Sequence, residues 1–275
     1  MKLHDTQITN YLTFCKSQKC LDVKTIRAYK IDLTHFASTM PAETSLYDIA
    51  SRQIESYIAH LHSIYKPKTA KRKIASLKAF FHYCEFYEFI ERNPFDKIQI
   101  RFREPVILPK TIPLQTLELF LSTIYNQRQL ATTSYQQKNA LRDAAVIELL
   151  FATGIRISEL CSLKSCDVNL NDNFVLIYGK GSKERKLQIG NDNVLETLNE
   201  YKNTFSKEIE NCGHFFANQS GKPLSDQSVR RMIQKYASLA GIDQHITPHM
   251  FRHTFASSLL DADVDIRYIQ EMLGH

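Results

Sequence analysis

Prolines at positions 105, 109 and 113, following an Asn93-Pro94 pair, forbid a continuous helix through the middle of this 275-residue chain. Each proline ring fixes φ and removes a backbone donor, so the stretch from Phe95 to Pro113 has to run extended. The chain must therefore build two bodies on either side of a stiff connector. The boundaries expected are a helical domain over 1–95, an extended linker over 96–113 that Arg101 and Arg103 make basic, and a second domain over 114–275. An apolar content of 43% is enough for a core in each.

Helical spacing is clear in the first part. Ile8, Tyr11, Leu12 and Cys15 recur on one face, as do Ile26, Tyr29, Leu33 and Phe36, then Ile54, Tyr57, Ile58 and Leu61, then Ile74, Leu77, Phe81 and Cys84. Four amphipathic helices with these stripes make a bundle core that does no chemistry. The net charge of +6 lies entirely within residues 1–105. It peaks in a run without acids that holds Lys66, Lys68, Lys71, Arg72, Lys73 and Lys78, with Lys24, Arg27 and Lys30 on the second helix. A basic run is often only a solvated helix face. This one continues into Ala75, Leu77, Phe80 and Phe81, so one helix has an apolar side to bury and a cationic side to offer phosphates.

The second part mixes periods. Leu117, Phe120, Leu121 and Ile124 predict a helix, as does the segment from Arg142 to Leu150, which runs into Thr153-Gly154. Arg156 follows, with Ile157, Leu160 and Leu163 on an apolar face and Glu159 one turn along, so an Arg–Glu pair could simply tie two helices together. Phe174 to Tyr178 and Arg185 to Ile189 read as a hairpin around G-K-G-S-K-E. No G-x-x-x-x-G-K-[ST] is present, which argues against a nucleotide triphosphatase. The fold class expected is mainly α with a small antiparallel β-sheet.

Near the end, Thr247-Pro248 precedes H-M-F-R-H-T-F-A. Threonine is a good N-cap and proline fits the first helical position, so His249 and Arg252 share a face of the first turn, where N–H groups, imidazole and guanidinium favour an anion. His249 and His253 have zinc-compatible spacing, but Met250 stands where H-E-x-x-H needs glutamate and no third ligand is suggested. Two arginines and a histidine without metal ligands point to phosphoryl transfer. Arg230 and Arg231, on a helix after Ser225-Asp226, have either a surface or a DNA-backbone role.

Taken together, T-G-I-R-I-S-E-L around Arg156, Y-G-K-G-S-K around Lys180, the H-x-x-R pair His249 and Arg252, and M-L-G-H ending at His275 resemble the tyrosine recombinase (phage integrase) family, in particular its short Xer-like members. The resemblance covers nearly the whole chain. It implies a helical core-binding domain and a catalytic domain forming a C-shaped clamp on DNA. It also implies that Arg156, Lys180, His249, Arg252 and His275 surround the scissile phosphate, with Glu159 orienting them from behind. Lys180 would protonate the departing 5′ oxygen; Lys183 is the alternative, and Lys180 is preferred for its distance from Arg156. Lys24, Arg27, Lys66, Lys68, Lys71, Arg72, Lys78, Arg101, Arg103 and Arg231 are the expected DNA contacts.

The implied reaction is metal-free and cofactor-free transesterification. A tyrosine attacks the phosphodiester, and the 3′-phosphotyrosyl link stores the bond energy for rejoining. The implied partners are double-stranded DNA with paired inverted half-sites and further copies of the protein, as a dimer or tetramer. The family's nucleophile follows L-G-H by roughly nine residues, and none of the 13 tyrosines here takes that place. Tyr268 precedes the motif and has apolar sequence neighbours. The chain is accordingly expected to be shortened at its C-terminus, binding DNA without cleaving it. A non-enzymatic DNA-binding module and a type IB topoisomerase are the alternatives. Neither an 18-residue apolar run nor a signal-peptide start is present, and Cys15, Cys20, Cys84, Cys161, Cys166 and Cys212 show no paired spacing. Reduced cysteines and a cytoplasmic location without a membrane partner are the expectation.

Overall fold

The computed structural model describes residues 3–41, 44–100, 108, 110–179 and 184–274, with backbone only for residues 3–5. The chain divides into two compact units, Met1–Ile107 and Leu108–His275. Arg101, Arg103, Lys180, Lys183 and His275 lie outside the described residues.

Four α-helices build the first unit: α1 (Leu3–Ser17), α2 (Val23–Thr39), α3 (Ser51–Ile64) and α4 (Pro67–Phe86). Asp22 caps α2 by accepting from the Lys24 N–H, and Pro67 opens α4, where its missing N–H costs nothing. Every member of the fourth expected stripe is buried, as are Tyr11, Leu33, Phe36, Ile54, Tyr57 and Leu61, whereas Leu12, Ile26, Tyr29 and Ile58 are only partly covered. Ala75, expected on the apolar side of α4, is exposed. Part of the stretch expected as linker belongs to the cores: Ile98 and Ile100 pack on the first, and Ile112 is buried in the second.

The second unit continues with α5 (Leu114–Gln129), α6 (Ser134–Thr153), α7 (Ile157–Ser162), β1 (Val168–Asn169), β2 (Phe174–Tyr178), β3 (Glu184–Gln188), α8 (Asp192–Thr204), α9 (Ser206–Cys212), α10 (Asp226–Leu239), α11 (Pro248–Asp261) and α12 (Ile266–Leu273). Thr133 and Gln136 close a reciprocal cap at the start of α6. From Ala140 to Leu150 nearly every α6 residue is buried, so it lies at the centre, packed by α5, α8 and α11. The sheet is antiparallel in the order β1-β2-β3, with Ile177 opposite Arg185 and Val175 opposite Leu187. The short strand β1 carries no pattern in the sequence that predicts it. At the end of the chain Ile269 and Leu273 are buried, whereas Leu260 and Ile266 are exposed. All six cysteines are free thiols.

Candidate functional site

Helix α6 stops at Gly154, whose φ of +59° suits glycine and whose N–H bonds the Leu150 carbonyl. A Cβ there would also lie 2.4 Å from Cδ1 of Phe255 on α11, so glycine is required twice over. Two residues later Arg156 precedes α7, and its backbone N–H donates to Oε2 of Glu159 at 2.8 Å. Its Nη1 donates to Oε1 of the same carboxylate at 2.9 Å. The pair expected from the sequence is therefore made within one turn.

A second arginine shares this carboxylate. Arg185, on β3, donates from Nη1 to Oε1 at 3.1 Å and from Nη2 to Oε2 at 2.7 Å. This bidentate bond between two nearly buried groups is the strongest contact at the site. Sequence reasoning missed Arg185. The signal was present: Arg185 shares a strand face with Leu187 and Ile189, and an arginine in an inward register needs a buried partner.

Arg252 comes from α11 and is itself buried. Its Nη1 donates to the Gly154 carbonyl at 2.9 Å and its Nη2 to the Leu273 carbonyl. Arg185 Nε reaches the Met272 carbonyl at 2.8 Å, and Arg156 Nη2 reaches the Gly274 carbonyl at 3.3 Å. Three consecutive carbonyls at the end of α12 thus each accept from a different arginine. They are groups a helix C-terminus leaves without internal partners, and its dipole favours cations there. Gly274 turns the chain with φ +69°, and an added Cβ would stand 3.1 Å from Arg185 Nη1. The L-G-H segment is in this way fastened to the arginine cluster just before His275.

The electrostatics follow from this packing. Burial pushes the Glu159 carboxyl up, but the bonds from Arg185 and Arg156 outweigh it and hold the group below its ordinary value. Burial, with Arg156 beside it, brings the Arg252 guanidinium down to about 10, so it remains charged at neutral pH. Three guanidinium groups against one carboxylate leave the cluster positive. His249 occupies the second position of α11, as expected, although Thr247 makes no side-chain capping bond. Desolvation lowers its imidazole below 6.5, assisted by His253, Arg230, Arg252 and Arg156. An imidazole neutral at pH 7 among fixed cations can take a proton, and an anion arriving there would restore its basicity.

The structure thus brings Arg156, Glu159, Arg252 and His249 together. Arg230 acts electrostatically on His249, and Arg231, expected as a DNA contact, is exposed on α10. Tyr268, placed by the sequence among apolar neighbours, is 65% exposed. In the first unit Lys24, Arg27, Lys66, Lys68, Lys71, Arg72 and Lys78 all reach the surface. Lys73 is the exception to the basic run, buried against Asp32 with its Nζ 3.3 Å from Oδ1.

Residues 124–275 match the phage integrase family, and residues 8–85 match the phage integrase N-terminal SAM-like domain. A tyrosine recombinase of Agathobacter rectalis is 67% identical over 273 residues, which cover 98% of this chain and 88% of that protein. The XerD tyrosine recombinase of Listeria innocua is 34% identical over 275 residues, with 98% and 89% covered. Among solved structures, a lambda integrase dimer bound to a COC′ core site superposes with a TM-score of 0.74 at 20% identity, covering all of this chain and 95% of that one. The XerH recombinase bound to its difH substrate gives 0.72 at 22% identity, covering 96% and 77%.

Proposed function

Because this chain belongs to the phage integrase family of tyrosine recombinases, we propose that its arginine cluster is the seat of the scissile DNA phosphate. The protein is a site-specific recombinase, a DNA strand transferase. The observation that carries the assignment of the site is the set of three guanidinium groups around Glu159, each pinned by a backbone carbonyl at the end of α12. Their surplus positive charge is preorganised for an anion, and the donors need not reorganise as charge develops on the phosphorus.

In this reading Arg156 and Arg252 bind the nonbridging oxygens and Glu159 fixes Arg156. Arg185 anchors Glu159 to the end of α12. His249 accepts a proton or donates a hydrogen bond according to its charge, His275 completes the oxyanion contacts, and Lys180 on the hairpin protonates the leaving 5′ oxygen. Lys24, Arg27, Lys66, Lys68, Lys71, Arg72, Lys78, Arg101, Arg103 and Arg231 contact the duplex backbone, and the stretch 96–113 joins the DNA-binding bundle of 1–95 to the catalytic domain of 114–275. The partner is double-stranded DNA with paired inverted half-sites, bound by a dimer or tetramer. Support for this comes from the proteins of similar fold, which include a lambda integrase dimer bound to a core site and a lambda integrase tetramer bound to a Holliday junction. The reaction needs neither metal nor cofactor, and the protein works in the cytoplasm. No described helix is long and apolar enough to cross a membrane.

A nicked suicide substrate tests the assignment. None of the 13 tyrosines within residues 1–275 is expected to carry a covalent link to it. A tyrosine on a segment after the L-G-H motif should carry that link, and Arg156→Ala should abolish it. An adduct mapped to Tyr268, or cleavage indifferent to Arg156, would overturn the assignment.

A further inference from the structure

Asp32, on α2 of the first unit, is 2% exposed and receives three side chains from α4. Ser76 Oγ donates to Oδ2 at 2.8 Å, Lys73 Nζ to Oδ1 at 3.3 Å, and Arg72 Nη1 to Oδ2. A buried carboxylate needs one countercharge, and Lys73 supplies it: it is 5% exposed and also sits 4.9 Å above the Tyr65 ring. Arg72 is therefore surplus to the neutralisation. Its side chain is 47% exposed and stands on the outer stripe of α4 with Lys68, Lys71, Ala75 and Lys78. The Asp32 bond uses one of five guanidinium donors and holds the planar fork in place while the rest of the group remains at the surface.

A phosphate contact needs only a mobile charge, which the lysines around it provide. A fork restrained by a buried carboxylate suits a planar target with two acceptors, and in the major groove of B-DNA that target is the O6/N7 edge of guanine. Ala75, one turn further along the same face, leaves room for the helix to approach. We propose that Arg72 reads a guanine in each half-site and that Asp32 is its positioning residue. This sharpens the role of Arg72 from backbone contact to base readout, and it rests on the reading that α4 faces the duplex.

The test is selection of bound duplexes from a randomised DNA library by the wild-type chain and by Arg72→Lys, Asp32→Asn and Lys68→Ala, each with a thermal melt to establish folding. The wild type should enrich a site with a guanine that Arg72→Lys no longer enriches, with discrimination at that base falling by roughly tenfold to a hundredfold. Asp32→Asn should relax the same position. Lys68→Ala should weaken binding while selecting the same site. If Asp32→Asn does not fold, Arg72→Lys alone decides, since its substitution is at a half-exposed position. An unchanged consensus in Arg72→Lys overturns the proposal while leaving the recombinase reading intact. Failure of the wild type to select any sequence through this unit would instead overturn the placement of α4 on DNA, and the proposal with it.

Discussion

Each unit buries a carboxylate shared with arginine, and the two are used differently. Asp32 is matched by a buried lysine, so its network closes on itself and one guanidinium stays half-exposed at the surface. Glu159 faces two arginines with a third, Arg252, close by, so one negative charge stands against three positive ones. Backbone carbonyls from the end of α12 hold these arginines without neutralising them. A buried ion pair with balanced charge organises structure, whereas one with surplus cations organises structure and leaves an electrostatic demand that a phosphate can meet.

The largest effect should come from the second site. With a tyrosine supplied after L-G-H, Arg156→Ala should lower the single-turnover cleavage rate on the order of a hundredfold to a thousandfold while changing DNA affinity little. A loss of similar size in affinity would mean that Arg156 binds DNA like any surface cation, and the contrast between the sites would fail. Next comes stability. Arg185→Ala leaves Glu159 with Arg156 alone and takes the donor from the Met272 carbonyl, and should cost about 3 kcal/mol in urea unfolding. The half-exposed Arg156 should cost less when replaced by alanine. Equal losses would show that the carboxylate does not discriminate between its partners.

The first unit gives the smaller, distributed effects. Reversing Lys68, Lys71 and Arg72 to Glu should weaken binding at every sequence and lower the slope of log affinity against log salt, by roughly 0.9 for each phosphate no longer neutralised. An unchanged slope would remove α4 from the interface. The smallest effect is a titration. By proton NMR His249 should titrate below 6.5, and Arg230→Ala should move it upward. Because the folded value lies below the unfolded one, this residue affects stability only on the acid side, where the native state loses stability as the pH falls and the ring is forced to charge. A His249 value at or above the ordinary one would take it out of the cationic cluster.

Much of this molecule is legible along the chain. The helical stripes of α1 to α4 and the hairpin strands β2 and β3 are local, set by the spacing of apolar residues, and so is the Arg156–Glu159 contact, which spans three residues. The burial of Lys73 was hidden because it sits among surface lysines; only the docking of α2, bringing Asp32 from 41 residues away, gives it a reason to leave water. Arg231 and Arg230 are neighbours in sequence, and only the packing of α10 against the rest of the unit decides which of them acts on His249.

By itself the sequence determined the helical periodicity, the break at the prolines, the basic balance of the first part and the motifs that carry the family. Tertiary structure alone decided which charges meet. Arg185 reaches Glu159 across 26 residues, and Arg156 meets the Gly274 carbonyl across 118. Periodicity records the burial of apolar area, which is additive along an element. Charge pairing depends on distances of a few ångströms between elements, and those exist only once the cores have closed.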